Sequence, residues 1–525
     1  MPLFLPLLLS TIGCANKSAP TPQSDSGVEG VSTTDTGDDT ASPEPTPQPP
    51  TLVLTLDEAC AMCVAAHVTQ LEPGPITLLV SAPGDEFRPW VKVDAEAETV
   101  VPVLELRADQ RYVVVARDDE SGLMSDPASI DTLPLPPDFP PIELTQRVDG
   151  DLQPGLTLTA AVPQALDRSY VVAIDSDGEV VWYHRLEGLN LTLSVDEQRH
   201  IFATDSAVKG VRIHPFGREI TVWGVDELGT ETVHHELRPT PTGGLAFLST
   251  EHRVIDGWHL PAFDWTASFD VIGDVINVHD ASGQSVWSWS LMDHLNPLDV
   301  HTEDMHLNFW MMAPYDHLES PKDWSHANAL VPHEEGWLMS LRNLDRIIKV
   351  DPATDAIEWT FGHRGDFELT GEGTWFSRQH APQVLPNGNL LLYDNGNARP
   401  GQDPTVMPTS RVVEYSLDLG SRTATEVWSW SGGDSPVFCP IVGDVDRLEN
   451  GNHLINDGAV FWGVVEMADG VRPHFSSRIR EVIGRDAPEV LWEVQVGYPD
   501  DLSRPGWFTY RSLRVDSLYP AMNRP

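Results

Sequence analysis

The sequence has few basic residues and very little cysteine. Among 525 residues, 33 Lys and Arg stand against 79 Asp and Glu, which gives a formal net charge of −46. A protein that binds nucleic acid needs a basic surface to displace counterions from phosphates, so this balance excludes nucleic acid as a partner. An anionic substrate would be repelled by the overall field, and its site would need locally concentrated cations.

The abundant residues indicate a large, mostly β protein. The chain has 17 Trp, 39 Gly and 44 Pro, together with many short Val, Leu and Ile runs. Such runs can bury a sizeable core, while this much Gly and Pro favours turns over long helices. The length exceeds a single ordinary core and predicts either two or more domains or one large repeat domain with an accessory one.

The N-terminal residues 1–14, MPLFLPLLLSTIGC, resemble a bacterial lipoprotein signal that ends at a lipid-acceptor cysteine, Cys14. Their apolar run is too short to span a bilayer. A plain secretory signal is the alternative. In the lipoprotein interpretation the protein is exported to the periplasm or cell surface, and its only membrane attachment is the lipid. Ala15 after the cysteine favours the outer membrane.

The remaining cysteines carry limited information. An exported protein meets an oxidising compartment, so Cys60 and Cys63 are candidates for a tight local disulfide, which the sequence alone leaves open. One C-x-x-C without a second pair is weak evidence for zinc or thioredoxin chemistry. We expect Cys439 to be a buried thiol.

Composition divides the rest of the chain into three parts. Residues 15–50 are almost entirely Ser, Thr, Pro, Gly, Asp, Glu and Gln, which predicts a disordered linker. Short alternating runs over 51–138 predict a small β-sandwich, whose last strands resemble those of fibronectin type III domains. A proline-rich hinge at 135–141 precedes the main domain, 139–525.

A strand that ends in tryptophan recurs six times in the main domain. These strands end at Trp182, Trp223, Trp287, Trp359, Trp428 and Trp492. The fullest unit, from His380 to Ser431, reads as four antiparallel strands in chain order. The pattern predicts an all-β fold with a six-bladed β-propeller, each Trp strand being the outer strand of a blade. Either LTLTAA near Leu156 or YRSLRVDSLYP near the C-terminus completes the first blade.

Long insertions interrupt this spacing. Residues 252–268 and 293–322 are predicted to be loops that cover one face of the ring.

Three segments share one pattern, in which a histidine precedes a strand, a Pro or Gly turn and a second strand. They cover residues 235–249, 326–342 and 380–394. In a propeller the first strand of each blade lines the central channel, so His235, His326 and His380 are predicted to converge there. Arg342 lies at the end of the second segment.

These histidines have three possible roles: structural contacts, a metal site or an anion site. A single histidine is most simply a structural residue that binds a neighbouring unit. Three together can also form a metal site, but the chain lacks HExxH and no carboxylate recurs beside each histidine, so we predict no metal. Three histidines in register with an arginine favour an anion site.

The motifs DWSHANAL, SLRN, RQHAPQVLPNGNLLLYDNGN and YRSLRVDSLYP resemble those of bacterial arylsulfate sulfotransferases, over roughly residues 140–525. That family has a six-bladed propeller and a small N-terminal β-sandwich. The resemblance implies that His380 is transiently sulfated and that His326, Arg342 and a histidine of HHEL are its partners. We place this last histidine at His235, with His234 as the alternative.

The implied reaction moves a sulfuryl group from an aryl sulfate ester to a phenol by a ping-pong mechanism through a sulfohistidine. No GxxxxGK[ST] motif is present to cradle a nucleotide donor, so we expect no cofactor. The rivals are a non-catalytic propeller that binds a ligand or protein, and an aryl sulfate hydrolase. The oligomeric state is left open. Four residues are weaker candidates for substrate binding: Asn328, Asn395, Tyr510 and Arg511.

Overall fold

The computed structural model describes residues 46–57, 60–260, 265–300, 309–310, 312–467, 470–499 and 501–524. Cys14, the predicted signal and most of the predicted linker lie outside these residues. The described chain is all-β and forms several antiparallel sheets. Among these residues we find no helix with the length and hydropathy of a membrane span.

Two small sheets lie at the start of the described chain. Their strands are β1 (Thr51–Leu56), β2 (Val64–Thr69), β3 (Gly74–Ser81), β4 (Arg88–Ala95), β5 (Glu98–Val103), β6 (Arg111–Asp118) and β7 (Ala128–Asp131). They pair in the orders β1-β2-β5 and β4-β3-β6-β7. The disulfide Cys60–Cys63 forms between β1 and β2, as the sequence suggested. Cys439 is a buried thiol, also as predicted.

Six further sheets follow, which we number I to VI. Sheet I contains β9 (Leu156–Pro163), β10 (Ser169–Ile174) and β11 (Val180–Leu186). Sheet II contains β12 (Ser194–Val195), β13 (Ile201–Thr204), β14 (Lys209–His214) and β15 (Arg218–Gly224), followed by the short helix α1 (Val225–Leu228). Sheet III contains β16 (His234–Pro239), β17 (Leu245–Leu260), β18 (Trp265–His279) and β19 (Ser285–Ser290), with β20 (Lys322–Asp323) parallel to β18.

The last three sheets repeat the arrangement. Sheet IV contains β21 (Ala327–His333), β22 (Gly336–Leu341), β23 (Arg346–Asp351) and β24 (Ala356–Phe361). Sheet V contains β25 (Glu368–Thr370), β26 (His380–Val384), β27 (Leu390–Asp394), β28 (Arg411–Asp418) and β29 (Thr423–Trp430). Sheet VI contains β30 (Asp444–Arg447), β31 (His453–Met467), β32 (Gly470–Ile483) and β33 (Glu489–Val496).

Distant parts of the chain complete two sheets. The strand β8 (Ile142–Arg147) pairs with β33 in sheet VI, and β34 (Trp507–Val515) pairs with β9 in sheet I. Sheet I therefore uses both segments that the sequence offered as alternatives, the one at Leu156 and the one near the C-terminus. Each recurrent Trp lies on the last antiparallel strand that its own stretch of chain adds to a sheet: β11, β15, β19, β24, β29 and β33.

The apolar core lies between consecutive sheets. Along β27, Leu390 and Leu392 pack toward sheet IV, while Leu391 and Tyr393 pack toward sheet VI. Side chains alternate between the two faces of a strand, so a strand buried on both faces needs a continuous apolar run such as LLLY. The first strands of sheets III to VI also touch in series, β16 with β21, β21 with β26 and β26 with β30; β12 and β13 of sheet II touch β16, and β34 of sheet I touches β30. This contact brings their ends together.

One of the two predicted loops is a hairpin. The prediction for residues 252–268 is wrong, because β17 and β18 continue to pair outward as far as Leu260 and Trp265. Residues such as HRVID and SFDVI alternate with period two, and this pattern favours strand pairing over a loop. In the second insertion, the described residue Trp310 is buried, and it packs against His234.

Candidate active site

The first strands of sheets III, IV and V depart from regular pairing near the predicted histidines. β16, β21 and β26 each have a register shift within their first residues. Left-handed backbone occurs beside each shift, with φ of 55° at His235, 48° at His326 and 47° at Ala381. A β-bulge re-aims side chains at a strand end. These bulges therefore direct the imidazoles away from the regular ladder.

The three predicted histidines lie together around Tyr510. The ring centroids of His235 and His326 are 4.9 Å apart, and Tyr510 lies 5.6 Å from His235 and 6.5 Å from His380. His235 and His380 are each only 3% exposed. Side chains from three sheets and from the C-terminal strand thus share one buried region.

The hydrogen bonds of His380 define its tautomer. Its Nδ1 lies 2.7 Å from Asn395 Oδ1 and 3.1 Å from the carbonyl oxygen of Arg378. The Asn395 amide nitrogen donates to the carbonyls of Cys439 and Val442, so its oxygen must face His380. Two acceptors at Nδ1 require a proton there. The lone pair of neutral His380 is therefore on Nε2.

The surroundings keep His380 neutral. Burial, followed by the positive charge of Arg342, lowers the pKa of His380 well below its ordinary value. Charging this imidazole would remove the Nε2 lone pair, and a buried site without a carboxylate contact opposes that charge. His380 thus retains a nucleophilic nitrogen at neutral pH.

His326 has a carboxylate partner. Its Nδ1 lies 2.6 Å from Asp323 Oδ2, while the other oxygen of Asp323 accepts a hydrogen bond from Trp310 Nε1 at 3.1 Å. Asp323 is 1% exposed and belongs to β20, which pairs with β18. The imidazole is therefore held by a buried carboxylate that is itself fixed by strand pairing.

His235 reaches a carboxylate only through a second imidazole. Its Nδ1 lies 2.7 Å from Nδ1 of His234, and His234 Nε2 is 3.2 Å from Asp274 Oδ1, an ion-pair distance without a well-aligned hydrogen bond. Burial, followed by neighbouring His326 and His234, lowers the pKa of His235 well below its ordinary value. Of the two adjacent histidines, only His235 contacts the rings of His326 and Tyr510.

Arg342 supplies the positive charge. It begins the 3₁₀ turn Arg342–Leu344, and its backbone N–H donates to the carbonyl of His326 at 3.1 Å. The guanidinium donates to Asn343 Oδ1 at 2.8 Å and to the carbonyl of Pro440 at 3.0 Å. It is 3% exposed, and its charge acts on His380. Because the net charge of the protein is strongly negative, we expected an anion site to need a local cation. Arg342 is such a cation, and it is buried beside the histidines.

The four weaker candidates lie in or next to the cluster, and their hydrogen bonds go to the protein itself. Asn395 orients His380. Asn328 donates to the carbonyl of Gln379, and Tyr510 donates to the carbonyl of Asn328, both at 2.7 Å. Arg511 Nη1 contacts the two carboxylate oxygens of Glu236 at 3.0 and 3.1 Å. These contacts brace the inner strands against one another.

Sequence reasoning did not identify several neighbours of the histidines. Asp323 stands three residues before His326 in DWSH, a spacing that could have been noticed. Asp274 lies on β18 and carries no local signal. Phe309, in the long insertion, places its ring 4.8 Å from His326 and 5.6 Å from His235. Aromatic residues in a long loop give no indication of where they pack.

Imidazoles beside a buried guanidinium form an arrangement that can bind an oxyanion and offer it a nitrogen nucleophile, as group-transfer chemistry requires. Residues 142–496 match the sequence model of the arylsulfotransferase (ASST) family. Because the match covers more than half of the chain, the protein belongs to this family. It is an aryl-sulfate sulfotransferase, and its substrates are small aryl sulfates and phenols. A comparison with curated proteins gave no match.

Proposed function

We propose that this enzyme transfers a sulfuryl group from an aryl sulfate ester to a phenol by a ping-pong mechanism, with Nε2 of His380 as the nucleophile. The observation that supports it best is the pair of acceptors at Nδ1, which leaves the lone pair on Nε2. This nitrogen attacks sulfur, the bond to the aryl oxygen breaks, and a phenol leaves. A second phenol then takes the group from the sulfohistidine.

Arg342, His326 and His235 stabilise the transferring group in this proposal. Sulfuryl transfer, like phosphoryl transfer, concentrates charge on the equatorial oxygens and on the atoms in line, so positioning and cationic donors lower the barrier most. A planar guanidinium can hold two sulfuryl oxygens. The histidines can donate to the third oxygen or exchange a proton with the phenol.

Burial favours transfer over hydrolysis. His235, Arg342 and His380 are each 3% exposed, and the rings of Phe309 and Tyr510 border the histidines. In this proposal the two aromatic rings form an apolar wall for the aryl group. An apolar wall that excludes water lets a phenol compete for the sulfohistidine.

We further propose that sheets I to VI are the six blades of a propeller, with residues 139–525 as its domain and 51–138 as a β-sandwich. The serial contacts of the first strands and the apolar layers between consecutive sheets support this arrangement. Pairing of β34 with β9 would join the ends of the ring.

The proposed location is the periplasm or cell surface, with a lipid on Cys14 as the membrane anchor and 15–50 as the linker. The support is the N-terminal sequence and the Cys60–Cys63 disulfide, since disulfides persist in oxidising compartments. Metabolic labelling with a clickable fatty acid tests the anchor. Wild type should be labelled and a Cys14→Ser variant should not; an unlabelled wild type would contradict the proposal.

The transfer reaction is tested with purified protein and 4-nitrophenyl sulfate. We expect nitrophenol release beyond one equivalent per enzyme only when a phenol acceptor is present, together with sulfation of that acceptor. Release that does not depend on the acceptor would identify a hydrolase. A nucleotide-independent rate follows from the proposal, so desalted enzyme given only donor and acceptor should be fully active without added nucleotide.

A further inference from the structure

The three site histidines differ in the group that holds Nδ1. His380 has an amide oxygen, His326 has a carboxylate, and His235 has another imidazole. All three contacts fall between 2.6 and 2.7 Å, so distance does not distinguish them. Charge does, because only a carboxylate at hydrogen-bond distance stabilises an imidazolium directly.

We propose that Asp323 is a positioning residue that makes His326, and not His235, the proton carrier between the enzyme and the phenol oxygen. This inference rests on the proposed function, in which either histidine could carry the proton. It assigns one of them and adds a residue that the sequence motifs did not single out.

Asp323 is fixed on several sides. Its strand pairs in parallel with β18, its Oδ1 accepts from Trp310, and its backbone carbonyl accepts from Asn343 Nδ2 at 2.7 Å. Holding Nδ1 of His326 against this carboxylate leaves Nε2 on the opposite edge of the ring. The ring of His326 lies 4.9 Å from that of His235 and 4.8 Å from that of Phe309, so it belongs to the same cluster as the proposed nucleophile's neighbours.

His235 is less suited to carry a positive charge. Its carboxylate, Asp274, is one imidazole away, and the contact from His234 to Asp274 is 3.2 Å. A cation on His235 would also face Arg511, His326 and His380. We therefore infer that His235 stays neutral and does not carry the proton.

The proton and electron balance is complete without another reactant. In the first half-reaction, the His380 Nε2 lone pair forms the N–S bond, the S–O bond breaks, and the aryl oxygen takes the electron pair together with a proton from His326 Nε2. In the second half-reaction, the acceptor phenol gives its proton to His326 Nε2 as its oxygen attacks sulfur. The N–S electron pair then returns to His380.

The test is the dependence of kcat/KM on the leaving group, measured with phenyl sulfate and 4-nitrophenyl sulfate. In ping-pong kinetics kcat/KM for the donor reports only the first half-reaction. Asp323→Asn should lower the value for phenyl sulfate by about 10²-fold, the usual contribution of general acid catalysis. The loss for 4-nitrophenyl sulfate should be below about 10-fold, because nitrophenolate departs without a proton.

Matched variants separate proton transfer from structure. An amide at position 323 has one oxygen and cannot accept a hydrogen bond from both Trp310 and His326. Combining Asp323→Asn with Trp310→Phe removes the competing donor. In this double variant kcat/KM should still fall more for phenyl sulfate than for 4-nitrophenyl sulfate. Trp310→Phe alone should lower kcat/KM modestly, and by the same factor for both substrates. His326→Gln, like Asp323→Asn, should lower kcat/KM much more for phenyl sulfate than for 4-nitrophenyl sulfate. His235→Gln should lower kcat/KM by similar factors for the two substrates.

The inference would be overturned if Asp323→Asn lowered kcat/KM equally for the two substrates. It would also be overturned if His235→Gln lowered kcat/KM mainly for phenyl sulfate. Failure of the proposed function looks different, because wild-type enzyme would then acquire no sulfuryl group on the His380 peptide. If Asp323→Asn does not fold, as judged by circular dichroism, the contrast between His326→Gln and His235→Gln still decides which histidine carries the proton, and equal losses in both variants would overturn the inference.

Discussion

Sheets IV and V present a histidine at corresponding bulged strand ends, yet they surround it with opposite chemistry. In sheet IV, His326 Nδ1 meets the carboxylate of Asp323 at 2.6 Å. In sheet V, His380 Nδ1 meets the amide of Asn395 at 2.7 Å. The histidine of sheet IV thus has a carboxylate at Nδ1, whereas that of sheet V has an amide oxygen there, which leaves the lone pair of neutral His380 on Nε2. We infer that the partner of Nδ1, more than the position of the ring, sets the role of each histidine.

This difference explains how one residue type can serve two roles in one pocket. A nucleophilic imidazole must remain neutral, and an amide orients it without stabilising a cation. A proton carrier must alternate between two charge states, and a carboxylate stabilises the charged one.

The largest effect is expected when the nucleophile is removed. His380→Gln should reduce sulfuryl transfer by at least about 10⁴-fold, since no other group in the site offers a lone pair in the same position. The measurement is acceptor sulfation under saturating donor. A variant that keeps a tenth of the wild-type rate would show that His380 is not the nucleophile.

Arg342→Gln should lower kcat by about 10²–10³-fold, the usual cost of losing one preorganised donor to a developing charge. Arg342→Lys keeps the charge but loses the planar fork, so only partial recovery is expected. Both variants need a thermal-unfolding control, because Arg342 also donates to Asn343 and Pro440. Full recovery by lysine would indicate that charge alone matters.

Asn395→Asp replaces the amide at His380 Nδ1 with a carboxylate, the kind of group that His326 has at its own Nδ1. A carboxylate at this place should raise the pKa of His380, so the acid limb of the pH–rate profile should move to higher pH, with a loss of about 10-fold at neutral pH. The control is Asn397→Asp, since Asn397 donates to the carbonyl of Pro440 and not to a site histidine. An unchanged acid limb in Asn395→Asp would contradict the role of the amide.

The smallest effect concerns stability. His235 and His380 have pKa values well below the ordinary one in the folded protein, so the unfolded chain binds more protons at acid pH. Stability should therefore fall as the pH drops below about 6.5, by up to about 1.4 kcal/mol per pH unit for each group. The double variant His235→Gln and His380→Gln should show a weaker decrease in Tm between pH 7 and 5. Equal slopes would contradict the burial argument.

Sequence patterns predicted the repeated parts of this protein well. LLLYD is a continuous apolar run and its strand is buried throughout, and the segments that end in the six recurrent Trp residues all form strands, as expected. Motif resemblance also selected His235, His326, Arg342 and His380, which the structure brings together. The family match ends at residue 496, so Tyr510 and Arg511 lie beyond it.

Partners made by the tertiary fold escaped prediction. Asp274 meets His234 across a long sequence separation, and Phe309 reaches the histidines from an insertion. The bulges at His235, His326 and Ala381 also give no reliable signal in the sequence, although they set the direction of each ring. The hairpin at 252–268 was mistaken for a loop because its length departs from the repeat.

Peptide mass mapping after brief exposure to an aryl sulfate without acceptor tests the central claim most directly. We predict that one sulfuryl group appears on the peptide containing His380, in an amount equal to the phenol released, and that it disappears when an acceptor phenol is added. Stoichiometric phenol release without any modification of that peptide would contradict the account.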